Sequence, residues 1–161
     1  MNINELRESF RGTDFFEDLS QEHLEKIASI AHAVHYPPGK VVFREGELAT
    51  EMYLILSGQV SLELCAPGIG CRRVVTLGSG EMLGWSPALQ QDYFRATART
   101  MTRVDAIALP GPQIVALCEH DLRFGYEFMR RTALAIAKRL TAAQMQLLNV
   151  FGADHHHSGK T

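Results

Sequence analysis

The sequence predicts an α+β fold, mainly β: one antiparallel sandwich or barrel with a helix before it and a long helix after it. Three observations carry this expectation. From Lys40 to Pro110, short aliphatic and β-branched runs are punctuated by Gly46, Gly58, Gly68, Gly70, Gly78 and Gly80. Ahead of them, "LSQEHLEKIASIAHAV" repeats apolar residues at helical spacing. After "LPGP" that spacing returns and persists.

The first helix has Ser20 as its N-cap, with Gln21 and Glu22 in the electropositive first turn. Leu24, Ile27, Ala28 and Ala31 form its apolar face, and "YPPGK" ends it, because Pro37 and Pro38 cannot continue a helix. The predicted strands are "KVVF", "MYLILSG", "QVSLELCA", "RRVVTLG" and "ATARTMTRVDAIAL". "ILSGQV" reads as a tight hairpin turning at Ser57-Gly58. Gln113 to Glu119 suits one short helix.

The long helix is expected over about 121–150, closing a single domain of residues 1–150. Leu122, Tyr126, Met129, Ala133, Ile136, Leu140, Ala143, Leu147 and Val150 alternate by four and three along it. This stripe outlasts what a small β-domain can cover, so it predicts a homodimer seam built on Met129, Ala133, Ile136, Leu140, Ala143 and Leu147. Packing of the helix along its own sheet is the alternative. The tail, residues 151–161, is polar and expected to be disordered.

Bulk properties exclude several classes. A chain of 161 residues suits one core, and 46% hydrophobic with 21% charged residues reads as soluble and globular. A formal charge of −2 speaks against a nucleic-acid surface, which needs clustered excess Lys and Arg. No apolar run approaches the ~20 residues that span a bilayer, and "MNINELRESF" lacks the apolar core of a secretory signal. Cys65, Cys71 and Cys118 are odd in number with no C-x-x-C spacing, which suggests reduced thiols and a cytoplasmic protein.

No catalytic constellation is visible: no nucleophile elbow, no paired-carboxylate motif, no P-loop. His32 and His35 are not spaced as metal ligands, and His155, His156 and His157 make a poor closed site. No cofactor is implied. Arg95, Arg99 and Arg103, four apart, would share a strand face with Thr97 and Met101, either as an anionic-partner site or as a solvated face.

In combination, "FFEDLSQEHLEKIA", "YPPGKVVFREGE", "MYLILSGQVSLE", "LGSGEMLGW" and "LAIAKRL" carry a resemblance. Over roughly residues 13–150 the chain resembles the cyclic nucleotide-binding domain, the ligand-sensing half of the catabolite activator family and the regulatory module of cyclic-nucleotide kinases and channels. The resemblance implies an antiparallel double-stranded β-helix (a cupin-like jelly roll) with a long C-terminal dimerisation helix. It also implies a phosphate-binding cassette, close to F-G-E-L-A-L with R-[SAT]-A-[TS] downstream. There backbone N–H groups and the arginine hold the cyclic phosphate, and the glutamate accepts from the ribose hydroxyl.

Here "LGWSPAL" stands at that place, with Gly84 kept and Trp85 at the glutamate position, where an indole cannot accept a hydrogen bond. Pro87 removes one donor from the cradle. Counting back from "ATARTM" puts Phe94 at the arginine position, whereas counting forward from Trp85 puts Arg95 there, and one residue swaps the face of a strand. In the family the last helix reaches the base with a hydroxyl, and the corresponding residues are Ala143 and Gln144.

Two functions follow. The first is a stand-alone sensor binding a cyclic nucleotide or related anionic small molecule through Gly84, Trp85, Ser86, Ala88, Arg95, Thr97 and Gln144, with the long helix as output. The second is an interaction module whose pocket is filled by Trp85 and Phe94. A cupin-type enzyme lacks its ligands. The family's transcription factors continue for roughly 60 residues into a DNA-binding module, and "GADHHHSGKT" is not expected to replace it.

Overall fold

The computed structural model describes residues 3–157, with side chains from 4 to 152. Helix α1 (Ile3–Arg11) and a 3-10 turn (Asp14–Phe16) precede α2 (Gln21–Ile30). Eight strands follow: β1 (His32–Tyr36), β2 (Val41–Phe43), β3 (Glu51–Ser57), β4 (Val60–Ala66), β5 (Gly70–Leu77), β6 (Met82–Leu83), β7 (Thr97–Thr100) and β8 (Val104–Pro110). Helices α3 (Gly111–His120) and α4 (Leu122–His157) complete the chain. The strands form two four-stranded antiparallel sheets, ordered β1-β8-β3-β6 and β2-β7-β4-β5.

Alternation along β3 and β8 divides the core. Tyr53, Ile55, Ala106 and Ala108 join Phe43, Leu62, Leu83 and Phe94 in one buried cluster. Met52, Leu54, Ile107 and Leu109 join the helices' Phe10, Phe16, Leu24, Ile27, Phe124 and Phe128 in another. Both faces of these strands are therefore covered, which is why they read as continuous apolar runs.

Ser20 caps α2 as expected, its Oγ accepting from the His23 N–H at 3.2 Å. The helix does not run to Val34. It ends at Ile30 because Ala31 turns extended (φ −78°, ψ 144°), and the next five residues pair with β8 from His32↔Ala108 to Tyr36↔Val104. The ladder on β8 outweighs the helical spacing that the sequence displays. Helix α1, which buries Leu6 and Phe10, was not anticipated.

The Ser57-Gly58 turn is not a hairpin either. β3 pairs with β6 and β8, whereas β4 pairs with β5 and β7, so this turn carries the chain from one sheet to the other. Gly58 (φ +93°) is required twice, since a Cβ there would meet the Arg103 carbonyl oxygen at 2.2 Å. The tight hairpin is β4–β5, and its register sets Cys65 opposite Cys71. These two form a disulfide, which corrects the expectation of three free thiols, and Cys118 remains unbonded. The run "ATARTMTRVDAIAL" divides into β7 and β8, so Arg95, Arg99 and Arg103 share no strand face. Arg99 pairs with Glu63 (3.4 Å) and Arg103 with Asp105 (3.7 Å).

Asp121 joins α3 to α4. Its N–H donates to Leu117 O at 3.0 Å, and its Oδ1 accepts from the Phe124 N–H at 3.1 Å. The ion pair with Lys26, then the Phe124 N–H, holds its carboxyl down at about 2. A depressed carboxyl stabilises the fold fully above its ordinary value of 3.8, and that contribution is lost as the pH falls through about 2. Asp121→Asn should therefore lower the urea midpoint at pH 7, with the difference from wild type vanishing near pH 2. An unchanged midpoint at pH 7 would remove this joint from the stability of the fold.

Helix α4 is longer than expected. It continues through His157, so the expected tail from residue 151 starts as helix, and residues 158–161 lie outside the described part. The side chains of His155, His156 and His157 also lie outside it. At 1.5 Å per residue α4 is about 54 Å long. Its first half packs on the domain through Phe124, Phe128 and Thr132, all buried, while every residue from Leu140 to Gly152 is exposed.

Candidate functional site

The cassette region begins where β6 leaves its pairing with β3, at Tyr53↔Leu83. Gly84 then takes φ +73°, and a Cβ there would meet the rings of Phe43 and Phe94, each at 3.1 Å. From Trp85 to Gln91 the chain makes a tight turn without a regular helix. Four of its six N–H groups are bonded internally: Ala88 donates to Trp85 O (3.0 Å), Leu89 to Ser86 O (3.2 Å), Gln90 to Pro87 O (3.2 Å) and Gln91 to Ser86 O (2.9 Å). Pro87 has no N–H and wedges against Gly111, where an added Cβ would lie 2.4 Å from its own. Ser86 and Ala88 are buried. This turn has few donors left to cradle a phosphate.

The return segment resolves the one-residue ambiguity. Phe94 is 5% exposed and stacks on Phe43, with centroids 3.8 Å apart and planes 13° from parallel. Its backbone is fixed on both sides, donating to Glu47 O (3.0 Å) and accepting from Gly46 N (2.9 Å). Arg95, next along, is exposed. Phe43 also stacks on Tyr53 at 6.2 Å, and burial pushes the Tyr53 hydroxyl well above the ordinary phenol range. Thus, of the two residues that counting puts at the phosphate-binding arginine's position, Phe94 lies in an aromatic stack and Arg95 is exposed. Thr97 is buried, and its Oγ1 accepts from the Glu45 N–H at 3.1 Å.

Trp85 faces α4 instead. The Arg139 guanidinium lies over its ring, 4.6 Å from the centroid, and Arg139 Nη2 donates to Met82 O. Burial pushes the Arg139 pKa down to about 10, with Glu81 opposing the shift. Its Nη1 is buried without a hydrogen-bond partner. Beside it, a cavity of about 350 Å³ runs between α4, β5 and the turn into β6. None of Gly84, Trp85, Ser86, Ala88, Arg95, Thr97 or Gln144 lines it, and Gln144 is exposed beyond its last helical residue, Ala142. Sequence reasoning passed over Arg139. The signal was available: Arg131 and Arg139 are eight apart, two turns, on the side of the helix that carries Phe124 and Phe128.

The expected seam stripe takes the other side of α4. Leu122 (78% exposed), Tyr126 (66%), Leu140 (58%) and Leu147 (56%) are open, and Ala133 and Ala143 are exposed with them. Met129 and Ile136 are partly covered. At ~100° per residue, the stripe is centred roughly half a turn from the cavity-lining residues. Among the described residues no three His, Cys, Asp or Glu side chains gather as metal ligands: His32 meets Glu51 (3.3 Å), and His35 meets Asp105 (2.7 Å). No described helix is long and apolar enough to cross a membrane.

Comparison with known proteins fits this geometry. Residues 33–121 match the model of the cyclic nucleotide-binding domain. A cyclic AMP receptor protein of Thermus thermophilus is 28% identical over 137 residues, 85% of this chain and 62% of that protein. The solved catabolite activator protein of Thermus thermophilus superposes with a TM-score of 0.69 at 28% identity, covering 84% of this chain and 62% of that one. A cyclic nucleotide-binding domain of Methylobacillus flagellatus gives a TM-score of 0.79 at 19% identity, over 91% and 83% of the two chains. The chain thus spans less than two thirds of the length of the two Thermus proteins.

Proposed function

This chain belongs to the cyclic nucleotide-binding domain family, and from that premise we propose a regulatory, non-catalytic module that senses a small anionic molecule and signals through α4 to a second copy of itself. The Thermus relative is named for cyclic AMP. Carrying that ligand over to this chain requires a counter-charge at the cassette, and burying an anion without one is costly. The observation that carries the proposal is Phe94, which fills that position while Arg95 points to solvent. Cyclic phosphate is therefore not the expected ligand at the cassette. Arg139 on Trp85 couples the cassette to α4, so a change at either end reaches the other.

Calorimetry with cyclic AMP and cyclic GMP should give no binding heat up to about 1 mM, and neither nucleotide should raise the melting temperature. Micromolar binding abolished by Arg95→Ala would overturn the proposal. The Phe43–Phe94 stack also favours a second reading, an interaction module with no ligand. A small molecule that saturably alters Trp85 fluorescence would exclude it. We also read the strand order β1-β8-β3-β6 against β2-β7-β4-β5 as the double-stranded β-helix that the resemblance implies.

A further inference from the structure

The cavity beside α4 combines a size, a charge and an unmet bonding demand. Its volume of about 350 Å³ lies at the lower end of the ~300–1,000 Å³ range of small-molecule sites. Phe15, Leu77, Met82 and Leu134 supply apolar wall. The ionisable groups lining it are Arg130, Arg131, Lys138 and Arg139 against Asp14 and Glu81, so cations outnumber carboxylates two to one.

Part of this charge is already engaged. Glu81 Oε2 accepts from the Gly78 N–H at 2.7 Å, and Arg131 Nη1 donates to the carbonyl oxygens of Phe15 and Glu17. Arg131 Nε and Arg139 Nη1 are two of the three buried side-chain nitrogens among the described residues that have no hydrogen-bond partner. Arg131 Nε still has the Glu127 carboxylate beside it at 3.8 Å, so the unmet demand rests on Arg139 Nη1. A buried guanidinium donor left unpaired is unfavourable, and an acceptor carrying negative charge satisfies it best. An uncharged apolar guest would leave it unmet, and inorganic phosphate would leave the apolar wall bare.

We propose that this cavity binds a small amphipathic anion of about a dozen non-hydrogen atoms, its carboxylate-like head on Arg139 and its apolar body along Phe15, Met82 and Leu134. The site is separate from the cassette. It deepens the proposed function by naming a place and a ligand class, and it rests on that reading only for what binding would signal. Because Arg139 lies on Trp85, occupancy alters the surroundings of the chain's single tryptophan.

Decanoate, with about twelve non-hydrogen atoms, is a suitable probe when titrated as the free anion below micelle-forming concentrations. Calorimetry should give saturable binding of one decanoate per chain, with decanol at least tenfold weaker and inorganic phosphate inert. Arg139→Met should weaken decanoate at least tenfold. Leu134→Trp, which fills the cavity from a half-exposed position, should abolish binding while leaving the melting temperature unchanged. Absence of saturable binding up to about 1 mM, equal binding of decanol, or binding indifferent to both substitutions would overturn the inference. Such a failure leaves the cyclic-nucleotide result standing, and cyclic AMP binding at the cassette would overturn the proposed function without touching this cavity.

Discussion

Phe94→Ala is expected to destabilise the domain by about 3–5 kcal/mol, the usual cost of deleting a buried aromatic ring. At this size that corresponds to a fall of about 10 °C or more in melting temperature. Phe94 is 5% exposed, and its ring lies flat on Phe43 within the cluster between the sheets. Removing it leaves Phe43 and the Gly84 turn facing a void that the paired backbone at Gly46 and Glu47 cannot close. The neighbouring Arg95→Ala should stay within about 0.5 kcal/mol of wild type, as exposed substitutions do. Urea unfolding of both variants checks this, the midpoint moving for one and not the other. Similar losses from both would reverse the face assignment, and the case against a cyclic phosphate would go with it.

That contrast also marks where the sequence stops being legible. Glycine-punctuated runs located the strands because each run is apolar and each break needs a turn. Trp85 and Gly84 were locatable because the motif around them is contiguous. Phe94 and Arg95 were not separable, since residues 91–96 follow no regular strand and β7 starts only at Thr97. A register shift between Val41 and Phe43 on β2 further breaks the strict alternation that counting assumes. Strand β1 was read as helix because pairing with β8 is a long-range event that local spacing does not record. The same holds for Cys65 and Cys71: a separation of six matches no motif, yet a hairpin register sets them opposite each other. Arg139 was not legible as a site residue because the base contact that the resemblance implies falls at Ala143 and Gln144, one turn further along the helix.

Leu140→Asp is expected to convert the protein from dimer to monomer, raising the dissociation constant at least a hundredfold. Among the described residues nothing covers α4 from Leu140 to Gly152, and Leu140, Met145, Leu147, Leu148, Val150 and Phe151 are each more than half exposed. A free helical stretch of this length is marginal in water, and so large an apolar surface calls for a partner. In the proposed dimer a second α4 would supply it, because the four–three spacing through Met129, Ala133, Ile136, Leu140, Ala143 and Leu147 is that of two helices packed along a common seam. A twofold axis places both introduced carboxylates in the seam, each desolvated and neither paired. Burying an unpaired charge costs several kcal/mol, and each 1.4 kcal/mol is a factor of ten in affinity. Leu140 is 58% exposed within its own chain, so the folded domain itself should be undisturbed. Sedimentation equilibrium measures the first effect and thermal unfolding at high dilution checks the second. Unchanged sedimentation would remove the seam and with it the proposed route for a signal between copies, leaving the cavity beside Arg139, on the far side of the helix, as a site within one chain.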